Sequence, residues 1–134
     1  MSIITARATI TKALASWAAS KSLPLSREQQ AFTKPANNGT YLELNIIPAK
    51  TILASIDGER KRYLGTVIIN IWTKDNQGTG EAEKLAEELA NLFSVVPKKQ
   101  MPVSVEEVPH TSKPVPDGSG YSIMSVKFPY RLEV

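Results

Sequence analysis

The stretch ERKRYLGTVIINIWT, Glu59 to Thr73, decides how the chain is read. Its apolar residues alternate with a period of two, but on both sides at once. Val67, Ile69 and Ile71 fall on one face of an extended strand, and Leu64, Ile68 and Trp72 fall on the other. A strand that is apolar on both faces belongs in the middle of a sheet, covered on each side by helices or by a neighbouring subunit. Just upstream, Asp57-Gly58 separates it from Ile56, and an Asp-Gly pair between two strand-like runs is a strong hairpin signal. The preceding arm begins with TYLELNII, where Leu42, Leu44 and Ile46 alternate against Tyr41, Glu43 and Asn45, the pattern of a half-buried strand. TILASI, residues 51–56, continues it after a break at Pro48.

Downstream, two glycines, Gly78 and Gly80, stand between this strand and a helical stripe of Ala82, Leu85, Ala86, Leu89, Leu92 and Phe93. Glu83, Lys84, Glu87, Glu88 and Asn91 face water on the same helix, which ends by Pro97 at the latest. A glycine turn between strand and helix is where many proteins hold a phosphate, but a P-loop needs a Gly-Lys pair and none exists here. The dinucleotide fingerprint needs a third glycine where Glu83 stands. Glu81 and Glu83 already complement the positive end of the helix and repel an arriving phosphate. Gly78 and Gly80 therefore read as turn residues.

The N-terminal segment has Ile3, Ala6, Ile10, Ala13, Leu14 and Trp17 at spacings of three and four, an amphipathic helix with Ser2 as its cap. It stops before Pro24, and Trp17 belongs to the core. Residues 24–40 read as a loop ending in an Asn38-Gly39 turn, long enough to suggest contacts outside its own core. Beyond the second helix, PVSVEEV (102–108) is a modest strand, and PHTSKPVPDGSG (109–120) is a proline-rich loop. GYSIMSVKF (120–128) is a final strand with Met124, Val126 and Phe128 on one face, and Pro129 marks an edge or bulge near its end.

At 134 residues, 42% hydrophobic and 22% charged, the chain fits one folded domain, residues 1–134, with one core. No apolar run approaches the roughly 18 residues that cross a bilayer, so no membrane association is expected. The absence of cysteine excludes disulfides and thiolate metal sites and fits a reducing cytosolic setting. Residues 1–62 hold nine Lys/Arg and four Asp/Glu, whereas residues 63–134 hold seven and nine. Such an imbalance suits a nucleic-acid face, complementary edges of neighbouring subunits, or simply differently solvated surfaces.

No reactive centre emerges. His110 is the only histidine and lies in the proline-rich loop, so no metal site is expected. There is no G-x-S-x-G elbow, and Ser119 lies in a turn. Glu106 and Glu107 are adjacent, so on a strand they point to opposite faces and cannot share a proton. No enzyme and no cofactor are expected. For nucleic acid the best patch is Arg60-Lys61-Arg62 followed by Tyr63, although cations beside a strand turn usually solvate or protect an edge.

The early helix through Trp17, FTKPANNGTYLEL at 32–44, RYLGTVIINIW at 62–72 and GTGEAEKLAEELANLF at 78–93 resemble the phage tail terminator-like family. That family is similar in fold to the minor tail protein U of lambda-type long-tailed phages. The shared features are an aromatic-x-x-Pro segment before the first strand and a Gly-x-Gly turn opening a helix that closes on Phe. The resemblance implies an α+β fold: a single mixed or antiparallel sheet of about five strands with two main helices packed on it. It also implies a structural prophage or virion tail protein, assembled in the host cytoplasm. The expected partners are itself, commonly as a hexameric ring, the tail-tube protein and a head or neck completion protein, with DNA only as passing cargo. In this role the ring halts polymerisation of the tube and offers a surface to the head or neck.

Six copies at +3 would carry about +18, in keeping with a channel through which DNA passes unread. The expected subunit or tube contacts are Lys34 and Asn38 in the first loop, Arg60, Lys61 and Arg62 on the hairpin arm, and His110 and Lys113 in the second loop. Another head–tail joining or minor tail role, or a small basic nucleic-acid-binding domain, is the alternative.

Overall fold

The structure, a computed structural model, describes residues 3–27, 39–53, 61–74, 80–95, 103–105, 110–111, 115–116 and 120–133. In chain order these form α1 (Ile3–Ser20), β1 (Leu25–Arg27), β2 (Tyr41–Leu53), β3 (Lys61–Lys74), α2 (Gly80–Val95), β4 (Val103–Val105), β5 (His110–Thr111), β6 (Val115–Pro116) and β7 (Tyr121–Glu133). The sheet runs β1-β2-β3-β7, and the fifth position is shared by β4, β5 and β6, which all pair with the outer edge of β7. β1 is parallel to β2 and every other pairing is antiparallel. The result is the expected α+β fold, two helices on a mixed five-position sheet.

β3 is central, as its two-sided apolar pattern requires, and it pairs along its length with both β2 and β7. Of the two kinds of cover expected, the helices supply one face. Ile10, Leu14 and Ala18 of α1 and Ala82, Leu85, Ala86, Leu89 and Phe93 of α2 join one core with Leu42, Leu44, Ile46, Val67, Ile69, Ile71, Met124, Val126, Phe128 and Tyr130. Register places all of these strand residues on the same face, so both helices lie on one side of the sheet. Phe93 of α2 rests on Phe128 with ring centroids 4.6 Å apart. Ala13 and Trp17 pack at the margin of this core, as the helical stripe predicted for Trp17.

α1 ends where the sequence says it must, four residues short of Pro24. Leu23 donates its amide to the Ala18 carbonyl at 2.9 Å and Ser22 donates to Ala19 at 3.1 Å, a Schellman closure. The residue that must turn left-handed there is Ser22, with φ of 57°, a position where glycine is the favoured residue.

Near the far end of the core, Gly65 pairs with Tyr130, and a Cβ on Gly65 would stand 2.5 Å from the Tyr130 hydroxyl oxygen. The missing side chain is what lets the ring lie across the strand. Burial pushes the Tyr130 hydroxyl pKa above its ordinary 10.0, while the charge of Arg7 pulls the other way. Arg7 also donates to the Ile46 carbonyl at 3.4 Å, tying α1 to β2.

Four further expectations are corrected. The loop assigned to 24–40 contains β1, whose three residues pair with Leu42, Glu43 and Leu44. β2 does not stop at Pro48: the strand continues to Leu53 and absorbs the proline as a register shift between Pro48 and Lys50. The proline-rich stretch 109–120 supplies β5 and β6. β7 runs through Pro129 to Glu133, and Pro129 sits between the residues that pair with β5 and those that pair with β4, where edge pairing is interrupted. The Asp57-Gly58 turn, Ser2, Gly78, Thr79, Glu106, Glu107 and Ser119 lie outside the described residues, although β2 and β3 do form the antiparallel arms of the predicted hairpin.

Candidate interaction surface

The face of the sheet opposite the helices carries a different population of side chains. Register sets it out in rows across the strands. The first row is Tyr41, Trp72, Ile123 and Val115; the second is Glu43, Asn70 and Ser125. Asn45, Ile68 and Lys127 form the third row, with His110 of β5 at its end, and Ile47, Thr66 and Pro129 form the fourth.

Two kinds of contact tie the strands of this face together. Tyr41 and Trp72 stack with ring centroids 5.4 Å apart and planes 10° from parallel, and the Tyr121 ring stands edge-on to both at 5.4 and 5.7 Å. Offset and edge-to-face arrangements of this kind suit the aromatic quadrupole. The Tyr121 hydroxyl donates to the Gly39 carbonyl at 3.3 Å, which fixes the trio to the chain entering β2. One row further, Asn70 donates its amide to Glu43 Oε1 at 2.8 Å and accepts from the Ser125 hydroxyl at 2.6 Å. This ladder spans three strands and satisfies polar groups that the open face leaves half-buried.

The remaining apolar residues on this face are less completely buried than the helix-side core. The two large hydrophobics exposed most among the described residues, Ile47 at 51% and Val115 at 59%, both belong to it, while Ile68 and Ile123 are half-buried. Around them stand exposed Lys74 and Lys127 and half-buried Arg62 and Arg131. On the opposite layer, the outer side of α2 exposes Glu81, Glu83 and Glu87 against Lys84, while Glu88 pairs at 3.1 Å with Lys21, the residue that follows α1. Glu81 also accepts from the Thr40 hydroxyl at 2.9 Å, so the first turn of α2 is acidic, as its sequence implied.

Three of the seven contact residues expected from the sequence lie among the described residues. Lys34, Asn38, Arg60 and Lys113 lie outside the described residues. Lys61 opens β3 opposite Leu53, and Arg62, the next residue, sits at an open-face position opposite Glu133. His110 pairs with Lys127, midway along the outer edge of β7 and away from Arg62. Sequence reading missed the rows led by Tyr41, Glu43, Asn45 and Ile47. The signal available was the second apolar face of β3, whose Trp72 and Ile68 lie in the first and third of these rows.

A family model described as phage tail terminator protein matches residues 5–130. The chain belongs to that family. Membership makes it a structural component of a phage tail, and the family is one of tail structure rather than catalysis. A solved structure with 28% sequence identity superimposes with a TM-score of 0.76, covering 98% of this chain and 95% of the other. No curated protein matches. The family match takes in α2, β2 and β3 whole and all but the outer ends of α1 and β7, so most of the helix-free face is part of the matched region.

Proposed function

We propose that the chain is the tail terminator itself, forming a ring of six copies on the end of the tail tube. The ring stops the tube protein from polymerising and presents a surface to a head or neck completion protein, with DNA passing through as cargo. Assembly takes place in the host cytoplasm. The observation that carries this reading is the family match over residues 5–130. The helix-free face supports it, because exposed Ile47 and Val115 on one rigid sheet surface are what a subunit that works by contact needs.

The test is polymerisation of purified tail-tube protein with and without the chain, read as tube length by electron microscopy. Shorter tubes with the chain at one end are expected at substoichiometric ratios. An unchanged length distribution at every ratio would remove the terminator role while leaving a minor tail or head–tail joining role open.

A further inference from the structure

We propose that the helix-free face of the sheet is the surface through which one subunit grips another, and that its counterpart is the acidic outer side of α2 on a second copy of the chain. The proposal rests on the ring reading above and assigns the surfaces that build it.

Three observations lead to this assignment. The face is apolar where it is open, with Ile47 and Val115 exposed and Ile68 and Ile123 half-buried between them. Its described charges are mainly positive, since Lys74, Lys127, Arg62 and Arg131 stand there against two carboxylates, Glu43, which takes the Asn70 amide, and Glu133, which lies opposite Arg62 in register. The α2 surface has the opposite sign, with Glu81, Glu83 and Glu87 against Lys84. The two surfaces belong to different layers of the subunit, so their pairing is head-to-tail, the contact type that closes into rings.

Size agrees. Five strand positions about 4.8 Å apart and long strands rising about 3.3 Å per residue give a face of roughly 20 by 40 Å. That matches the roughly 800 Å² per partner of a standard stable interface. A single-stranded nucleic acid is the competing occupant for a basic sheet with aromatic residues. The rings argue against it: Tyr41 and Trp72 stack on each other and Tyr41 and Tyr121 are buried, so they offer no free faces to bases.

The experiment uses two variants of the full chain, Lys74→Glu/Lys127→Glu and Glu83→Lys/Glu87→Lys, with circular dichroism confirming that each is folded. Mass is read by light scattering for wild type, for each variant and for an equimolar mixture, alone and with tail-tube protein. Wild type should assemble. Each variant faces like charge across the contact and should fall to the mass of one 14.7 kDa chain. The mixture can alternate the two variants, restoring opposite charges at every contact, and should return to the wild-type mass.

Variants that assemble like wild type would overturn the surface assignment alone, and so would a mixture that stays monomeric. Wild type that is monomeric under all conditions would overturn the ring reading and this proposal with it. Tight, salt-sensitive binding of single-stranded DNA, abolished by Lys74→Glu/Lys127→Glu without any change in mass, would hand the face to nucleic acid.

Discussion

The two sides of β3 differ by one residue in register and by everything in environment. Val67, Ile69 and Ile71 are fully buried under α1 and α2, whereas Thr66, Ile68, Asn70 and Trp72 between them are only half-buried. The open side alternates apolar Ile68 and Trp72 with polar Thr66 and Asn70, and among the described residues the helices cover only the other side. The open side is tied across its strands by an aromatic trio and a hydrogen-bonded ladder, while Ile47 and Val115 stay open. Apolar character on both faces therefore divides between holding the fold and meeting a partner.

Truncating neighbours on opposite faces should separate the two environments most strongly. Ile69→Ala should cost about 2–5 kcal/mol in urea unfolding, because it leaves a cavity under the helices. Ile68→Ala, one residue away, should cost less than about 1.5 kcal/mol when measured at a protein concentration where the chain is monomeric. Equal losses would remove the distinction between the faces. Next in size, Gly65→Ala drives a methyl into the Tyr130 ring and should destabilise by about 1–3 kcal/mol, with the damage confined to the helix side.

On the open side, Asn70→Ala should cost about 1–2 kcal/mol, because Glu43 and Ser125 both lose their shared partner. Asn70→Ala in a Glu43→Ala/Ser125→Ala background should cost less, the signature of a coupled ladder. A smaller effect is confined to alkaline solution. The raised Tyr130 pKa means the folded chain holds that proton more tightly than the unfolded one, so its contribution is complete below pH 10.0 and is lost as pH climbs through the folded value. Tyr130→Phe should flatten this decline relative to wild type. Smallest of all, Ser22→Gly should stabilise the chain by up to about 1 kcal/mol by relieving the left-handed serine that closes α1.

Much of the helix side was legible in the sequence. The α2 stripe from Ala82 to Phe93 and the alternation of Leu42, Leu44 and Ile46 are periodic over enough residues to name both the element and its buried face. β1, β5 and β6 were not legible because two or three residues carry no period, and they are strands only because an edge of β2 or β7 is there to pair with. Pro48 and Pro129 misled for a related reason: each lies where pairing shifts or is interrupted, so the strand passes through a residue that ordinarily ends one.

The open face was half legible. Ile68 and Trp72 announced it, but the row from Tyr41 through Trp72 and Ile123 to Val115 draws on four strands, and no sequence window contains it. Of the contact residues expected from the sequence, those described stand apart, with Arg62 at one end of β3 and His110 opposite the middle of β7.

The most direct test replaces one exposed side chain on the helix-free face. Ile47→Glu puts a charge where 51% of the residue is already in solvent, so the monomer should keep its circular dichroism. Light scattering with and without tail-tube protein should then give a multiple of 14.7 kDa for wild type and a single chain for the variant. A variant that stays folded and assembles at the wild-type mass would contradict the division of labour between the two faces.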